Sequence, residues 1–246
     1  MQNIDPSSEI SPSFVDQFTR DRLRKLRKIM GLSIEAPYMK QREIDIIIEI
    51  LMNLQPQNCL EYGSGYSTLF FPTFLPPTGR WMALEHHREW FERVLDMNSR
   101  ANVTVRHATW SEHEKDQIGY VQEPTDKAPF DFILVDGVAR QACIREAFDM
   151  LSEDGLLIVH DANRSQYHQP LTKFKYRLVL EDFRRTAGGL AFASNSRPIG
   201  TYFQLRDHAR LWKLQSNVTN IMRFKFLPWR TLKSFRLFSP SNTKTS

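Results

Sequence analysis

Four short clusters in this 246-residue chain have residue types and spacings that can do chemistry. The first is Glu61-Tyr62-Gly63-Ser64-Gly65, at the end of an apolar run. Two glycines let a backbone turn tightly against a ligand, and a helix that follows offers unpaired N–H groups. The third glycine of a dinucleotide fingerprint is missing, since Thr68 stands in its place. Glu61 repels a pyrophosphate and suits a ligand that carries an ammonium and a sulfonium, unless it is a surface acid that merely precedes a turn. Glu85, the second cluster, ends the next apolar run, placed to accept hydrogen bonds from both hydroxyls of a ribose. The third and fourth are Asp136-Gly137 and His160-Asp161-Ala162-Asn163-Arg164, each again closing an apolar run. Asp136, Asp161 and His160 can take a proton from a hydroxyl, and are the candidate catalytic residues. A divalent cation held by Asp136, Asp161 and Asn163 would instead lower that hydroxyl's pKa. The structural alternatives are a helix N-cap for Asp161 and a satisfied core histidine for His160.

These clusters need a scaffold that brings their ends together. Apolar runs at 58–62, 80–85, 102–107, 130–136 and 155–160 read as buried strands, separated by helical patterns at 66–75, 87–99, 140–151 and 166–185. The alternation predicts an α/β fold with a doubly wound, mainly parallel seven-stranded sheet. Two further runs, 190–194 and 200–206, have no helix between them and predict an antiparallel hairpin at one edge. Ahead of the sheet, apolar spacing predicts helices over 14–30 and 40–54.

The composition, 41% hydrophobic and 25% charged, is that of a globular chain. No run approaches the roughly 18 apolar residues of a membrane-spanning helix, and no apolar stretch follows a basic start as in a secretory signal. A cytoplasmic location is expected. Cys59 and Cys143 lie in apolar patterns and are expected as buried, reduced thiols. The net charge of +5 is unevenly divided: residues 206–246 hold nine Lys or Arg against one acid, Asp207. Three parts follow: an N-terminal helical extension (1–39), a central domain (40–206) and a basic aromatic tail (207–246). In the tail Trp229, Leu232, Phe235 and Phe238 recur every third position among basic residues. That pattern suits peripheral contact with an anionic membrane or a helix docked on its own domain, and a nucleic-acid arm ranks behind both.

At Glu61, Gly63, Gly65 and Glu85 the chain, from about 40 to 206, resembles the class I S-adenosylmethionine-dependent methyltransferases. The resemblance implies S-adenosylmethionine as cofactor, with Glu61, Gly63 and Gly65 around its methionine part, Glu85 on its ribose, and Ser64 and Asp136 also among the cofactor-binding residues. It places Ala108, Thr109 and Trp110 beside the adenine, where Trp110 either stacks on the ring or serves as a core aromatic. Catechol-type members hold a divalent metal through an adjacent acid and amide, a pair that Ala162 interrupts here. Amino-methyltransferases of nucleobases carry Asp/Asn-Pro-Pro-aromatic where this chain has Asp136-Gly137-Val138-Ala139. The segments around Asp136 and His160 also resemble plant polysaccharide methyltransferases that act on glucuronic acid side chains of xylan. The implied reaction is O-methylation of a sugar or another small polar acceptor, with Arg140, Asn163, Arg164 and Tyr167 on the acceptor side. In that role the two arginines clamp an anion, and otherwise they sit on a solvated helix face. The competing class is a non-catalytic module that binds the cofactor or a membrane surface on the same fold.

Overall fold

The computed structural model describes residues 37–111, 113–182 and 188–213. The helix expected at 14–30 and the aromatic repeat at 229–238 lie outside the described residues. After α1 (Gln41–Leu54) the chain alternates β1 (Asn58–Tyr62), α2 (Tyr66–Phe70), β2 (Arg80–Glu85), α3 (Arg88–Met97), β3 (Val103–His107), α4 (Glu114–Gln122), β4 (Phe130–Val135), α5 (Arg140–Met150) and β5 (Leu151–His160). A short α6 (His168–Leu171) then leads to β6 (Tyr176–Leu180) and β7 (Leu190–Ser194), and α7 (205–213) follows. Among the described residues no helix is long and apolar enough to cross a membrane.

The seven strands pair in the order β3-β2-β1-β4-β5-β7-β6, with β1 to β5 parallel and β7 antiparallel to both its neighbours. Alternate side chains of the strands feed two cores. Cys59, Trp81, Phe132 and Ile158 pack under α1 on one face, and Leu60, Leu84, Ile133 and Cys143 pack with α5 on the other. The two cysteines are therefore buried free thiols, and burial pushes both thiols up.

The edge hairpin exists, but its strands are β6 and β7, not 190–194 with 200–206. A helix was expected over 166–185, yet among the described residues of that span only His168–Leu171 is α-helical, after a 3₁₀ turn at Ser165–Tyr167. Leu178, Val179 and Leu180 are consecutive and all buried, so β6 shows no alternation, and a short apolar run of that kind does not separate helix from strand. The run at 200–206 passes from a 3₁₀ turn into α7, which crosses position 207. Trp212 of α7 is buried, its indole N–H donating to the Glu181 carbonyl at 2.8 Å. The Arg42 guanidinium at the start of α1 lies 4.1 Å from the Trp212 ring centroid.

Candidate active site

Register sets the site. Tyr62 pairs with Leu84 and Val135, and Val135 with Val159, so Gly63, Glu85, Asp136 and His160 leave the sheet at one edge. In the strand order, β1 and β4 flank the point where the winding reverses, and ligands of open α/β sheets bind in the crevice there. The two strand exits touch. Gly63 has φ +94°, and a Cβ on it would fall 2.8 Å from Gly137 Cα, while a Cβ on Gly137 would fall 2.5 Å from the Tyr120 hydroxyl. Gly65 differs: its φ of 172° is ordinary extended backbone, and a Cβ there would meet nothing nearer than 3.8 Å. Gly63 and Gly137 are thus needed by the fold, whereas Gly65 leaves room at the cleft.

A cleft of about 470 Å³ opens at this edge, a size common for small-molecule sites. Its walls include Glu61, Gly63, Ser64, Ser67 and Glu85, and beside them His86, His87, Trp90, Asp136, Gly137 and Val138. Among the described residues three carboxylates and no Lys or Arg line it. Glu61 is almost fully buried and accepts hydrogen bonds from Ser67 Oγ (2.5 Å), Thr68 Oγ1 (2.7 Å) and Trp81 Nε1 (2.9 Å). Burial outweighs these donors and pushes its pKa up to about 7. Glu85 organises the opposite wall. One oxygen accepts the backbone N–H of His86 and His87, the other that of Ser64 at 3.0 Å. Trp90 closes the turn by donating to the Ser64 carbonyl at 2.8 Å.

Behind the cleft lies a buried chain of alternating charge. His160 Nδ1 is 2.9 Å from Asp136 Oδ1, and its Nε2 is 3.4 Å from Glu43 Oε2. Burial opposes a charged ring, but Asp136 and Glu43 overcome it and hold the His160 pKa well above its ordinary value. Both nitrogens face carboxylates, which favours the charged ring and works against the role of base expected from sequence. Burial also opposes ionisation of Asp136, yet His160 and Arg140 hold its pKa down. Asp136 is consequently a fixed anion at the cleft wall rather than a strong base. Glu43 is held down likewise by His160, Lys40 and Arg42 against its burial. It also accepts the backbone N–H of Lys40 (2.7 Å) and Gly189 (3.1 Å).

No protein-family model matches the chain, and no curated protein matches its sequence. Solved structures share its architecture. An O-methyltransferase from Bacillus cereus in complex with SAH aligns with a TM-score of 0.52 at 17% identity, covering 73% of this chain and 91% of that one. A methyltransferase from Geobacter sulfurreducens gives a TM-score of 0.52 at 11% identity, covering 77% and 94%. The fold is that of the class I methyltransferases. Within this methyltransferase fold Glu61, Gly63, Ser64, Glu85 and Asp136 line one cleft, and Gly65 lies in the same turn.

The other expected residues are placed differently. Thr109 is exposed, and Trp110 is half-buried against His86, with ring centroids 6.1 Å apart; neither lines the cleft. Asp161, at φ +58°, turns its carboxylate back onto the Gly188 N–H. Asn163 donates to the Asp182 carbonyl at 2.9 Å and accepts the Asp182 N–H at 2.7 Å. Arg140 is directed inward, while Arg164 is exposed and donates to the Tyr167 hydroxyl at 3.1 Å. The metal reading does not fit this arrangement, because the Arg140 guanidinium stands between Asp136 and Asp161, and the Asn163 amide is engaged at both ends by the Asp182 backbone. Sequence reasoning missed Glu43, His86, His87 and Trp90. For Glu43 the available signal was an acid at the third position of a helix, the capping-box site.

Two glycine substitutions separate fold from binding. Gly137→Ala is expected to destabilise the protein by about 1–3 kcal/mol through forced displacement of Tyr120 or Gly63. Gly65→Ala is expected to melt like wild type and to bind ligand more weakly. Urea denaturation and calorimetric titration of the two variants check the pair; a Gly65→Ala protein with undiminished affinity removes the turn from the binding site.

Proposed function

We propose that the protein transfers the methyl group of S-adenosylmethionine to an oxygen atom of a small polar acceptor such as a sugar. One observation carries this reading: on a methyltransferase fold, three carboxylates and a glycine turn line the cleft at the switch point, with no Lys or Arg among its described lining residues. A pyrophosphate would be repelled there, whereas a ligand with ammonium and sulfonium charges is attracted. Bound S-adenosylmethionine supplies an electrophilic methyl group. Asp136 and Glu61 hold its positive end, and Glu85, fixed by three backbone amides, exchanges the Ser64 hydroxyl that it accepts at 3.2 Å for a ribose hydroxyl. In this scheme the chain's contribution is chiefly orientation, since in-line alignment of two reactants can supply about 7–11 kcal/mol. Arg164, exposed beyond the end of β5 and bonded to the hydroxyl of the buried Tyr167, offers a cation to an acceptor, with an anionic sugar the best match.

The test is methyl transfer from labelled S-adenosylmethionine to pooled sugars, uronic acids and phenols, read as S-adenosylhomocysteine formed above solvent background. Turnover with a hydroxyl acceptor is the expected outcome. Tight binding without turnover on any pool is the outcome of a non-catalytic module, and absence of binding overturns the cofactor assignment.

A further inference from the structure

Arg140 was expected to clamp an acceptor, but its fork is used inside the protein. Nε donates to the Gly137 carbonyl at 2.9 Å, and Nη2 donates to the Asp136 carbonyl at 2.8 Å and to Asp136 Oδ1 at 2.9 Å. Nη1 donates to the His160 carbonyl at 2.5 Å and lies 3.8 Å from Asp161 Oδ2. The guanidinium therefore ties the exits of β4 and β5 together with a carboxylate on either side. A divalent ion shared by Asp136 and Asp161 would need the volume this group fills, and would meet its like charge at contact distance. The remaining expected ligand, Asn163, makes two hydrogen bonds to the Asp182 backbone.

We propose that Arg140 is the resident cation of this site, built into the chain in the position a divalent metal ion would occupy between Asp136 and Asp161. It is a positioning residue: it fixes the Asp136 carboxylate on the cleft wall by charge and by a planar fork, and never exchanges. A guanidinium has no coordination site to offer an acceptor oxygen, and four of the five N–H groups of Arg140 are already held by protein, so it cannot ligate as a metal does. The acceptor accordingly needs one reactive hydroxyl, not a chelating pair. The proposal rests on the cleft being an S-adenosylmethionine site, except in its metal arm, which stands alone.

Mn²⁺ and S-adenosylhomocysteine are the probes, with the full-length protein. Titrating wild type with Mn²⁺, followed by the resonance of the free ion, is expected to reveal no site that Asp136→Asn removes. Calorimetry is expected to give the same S-adenosylhomocysteine affinity in EDTA as in Mn²⁺. Arg140→Ala is expected to bind S-adenosylhomocysteine at least tenfold more weakly, and millimolar guanidinium ion should restore affinity where equal sodium chloride does not. Arg140→Lys keeps the charge but not the fork, so an intermediate affinity is expected, and this variant stands in if Arg140→Ala fails to fold. Stoichiometric Mn²⁺ binding by wild type that Asp136→Asn abolishes overturns the proposal, as does a folded Arg140→Ala protein whose affinity is unchanged. If wild type binds no S-adenosylhomocysteine, the reading of the cleft fails, and the Mn²⁺ titration still decides the place of Arg140.

Discussion

Glu61→Gln is expected to weaken S-adenosylmethionine binding by about two orders of magnitude or more while making the protein more stable at pH 8. The loss follows from removing one buried member of a charge pair, which typically costs about 2–5 kcal/mol at a binding site. The gain follows from the same burial. Glu61 ionises near 7 in the folded chain, against an ordinary value of 4.5. The folded state thus favours the protonated acid. The charged form begins to destabilise the fold as pH rises past 4.5, and the penalty, about 3 kcal/mol, is complete above 7. Glutamine removes it and can still accept hydrogen bonds from Trp81 and Thr68 while donating to Ser67. Urea denaturation at pH 8 and pH 4.5 checks the stability arm, where the advantage of the variant should shrink at the lower pH. Calorimetry checks the other arm, and a glutamine variant with wild-type affinity removes Glu61 from the cofactor site.

Asp136→Asn is expected to act in the opposite direction on stability. It withdraws the anion that His160 and Arg140 share, leaving two buried cations with less compensation. Breaking a buried pair from one side commonly costs about 3–5 kcal/mol. Asp136 titrates below its ordinary 3.8 and His160 above its ordinary 6.5, so the pair's contribution is full between those values. It declines as pH falls from 3.8 through the lowered value of Asp136, and as pH climbs from 6.5 through the raised value of His160. Denaturant midpoints of wild type and variant from pH 3 to 9 should therefore differ most near pH 5, and a flat difference would exclude the ionic explanation. Cofactor affinity is expected to fall with it, because Asp136 is one of the three carboxylates of the cleft.

The central sheet was legible because β1, β2, β4 and β5 are buried on both faces and stand out as apolar runs, each followed by its polar cluster. Glu61, Gly63, Glu85 and Asp136 could be placed at one edge from their positions at the ends of those runs. The hairpin partner could not, since Tyr176–Leu180 and the run at 200–206 are equally short and apolar, and only pairing with β7 distinguishes them. His160 was placed at the end of β5 from sequence, but its position between two carboxylates was not legible there. Its charge depends on Glu43, and an acid in a first helical turn looks like an ordinary solvent-facing cap until the fold lays α1 across the end of β5. Arg140 shows the same limit: its location follows from the strand before it, but the direction of its fork is set by the carbonyls of Gly137 and His160.

Trp212 holds Arg42 at the start of α1, and Glu43 next to it braces His160, so the last described helix helps seat a residue near the first. The two ends of that contact are 170 residues apart in sequence. During synthesis, at about 5–20 residues per second, a span of that length separates the emergence of Arg42 from that of Trp212 by roughly 10–30 seconds. Throughout that interval every strand of the sheet can leave the ribosome while α1 still lacks its distal clasp. The walls of the cleft can thus be synthesised before the contact that braces them from behind.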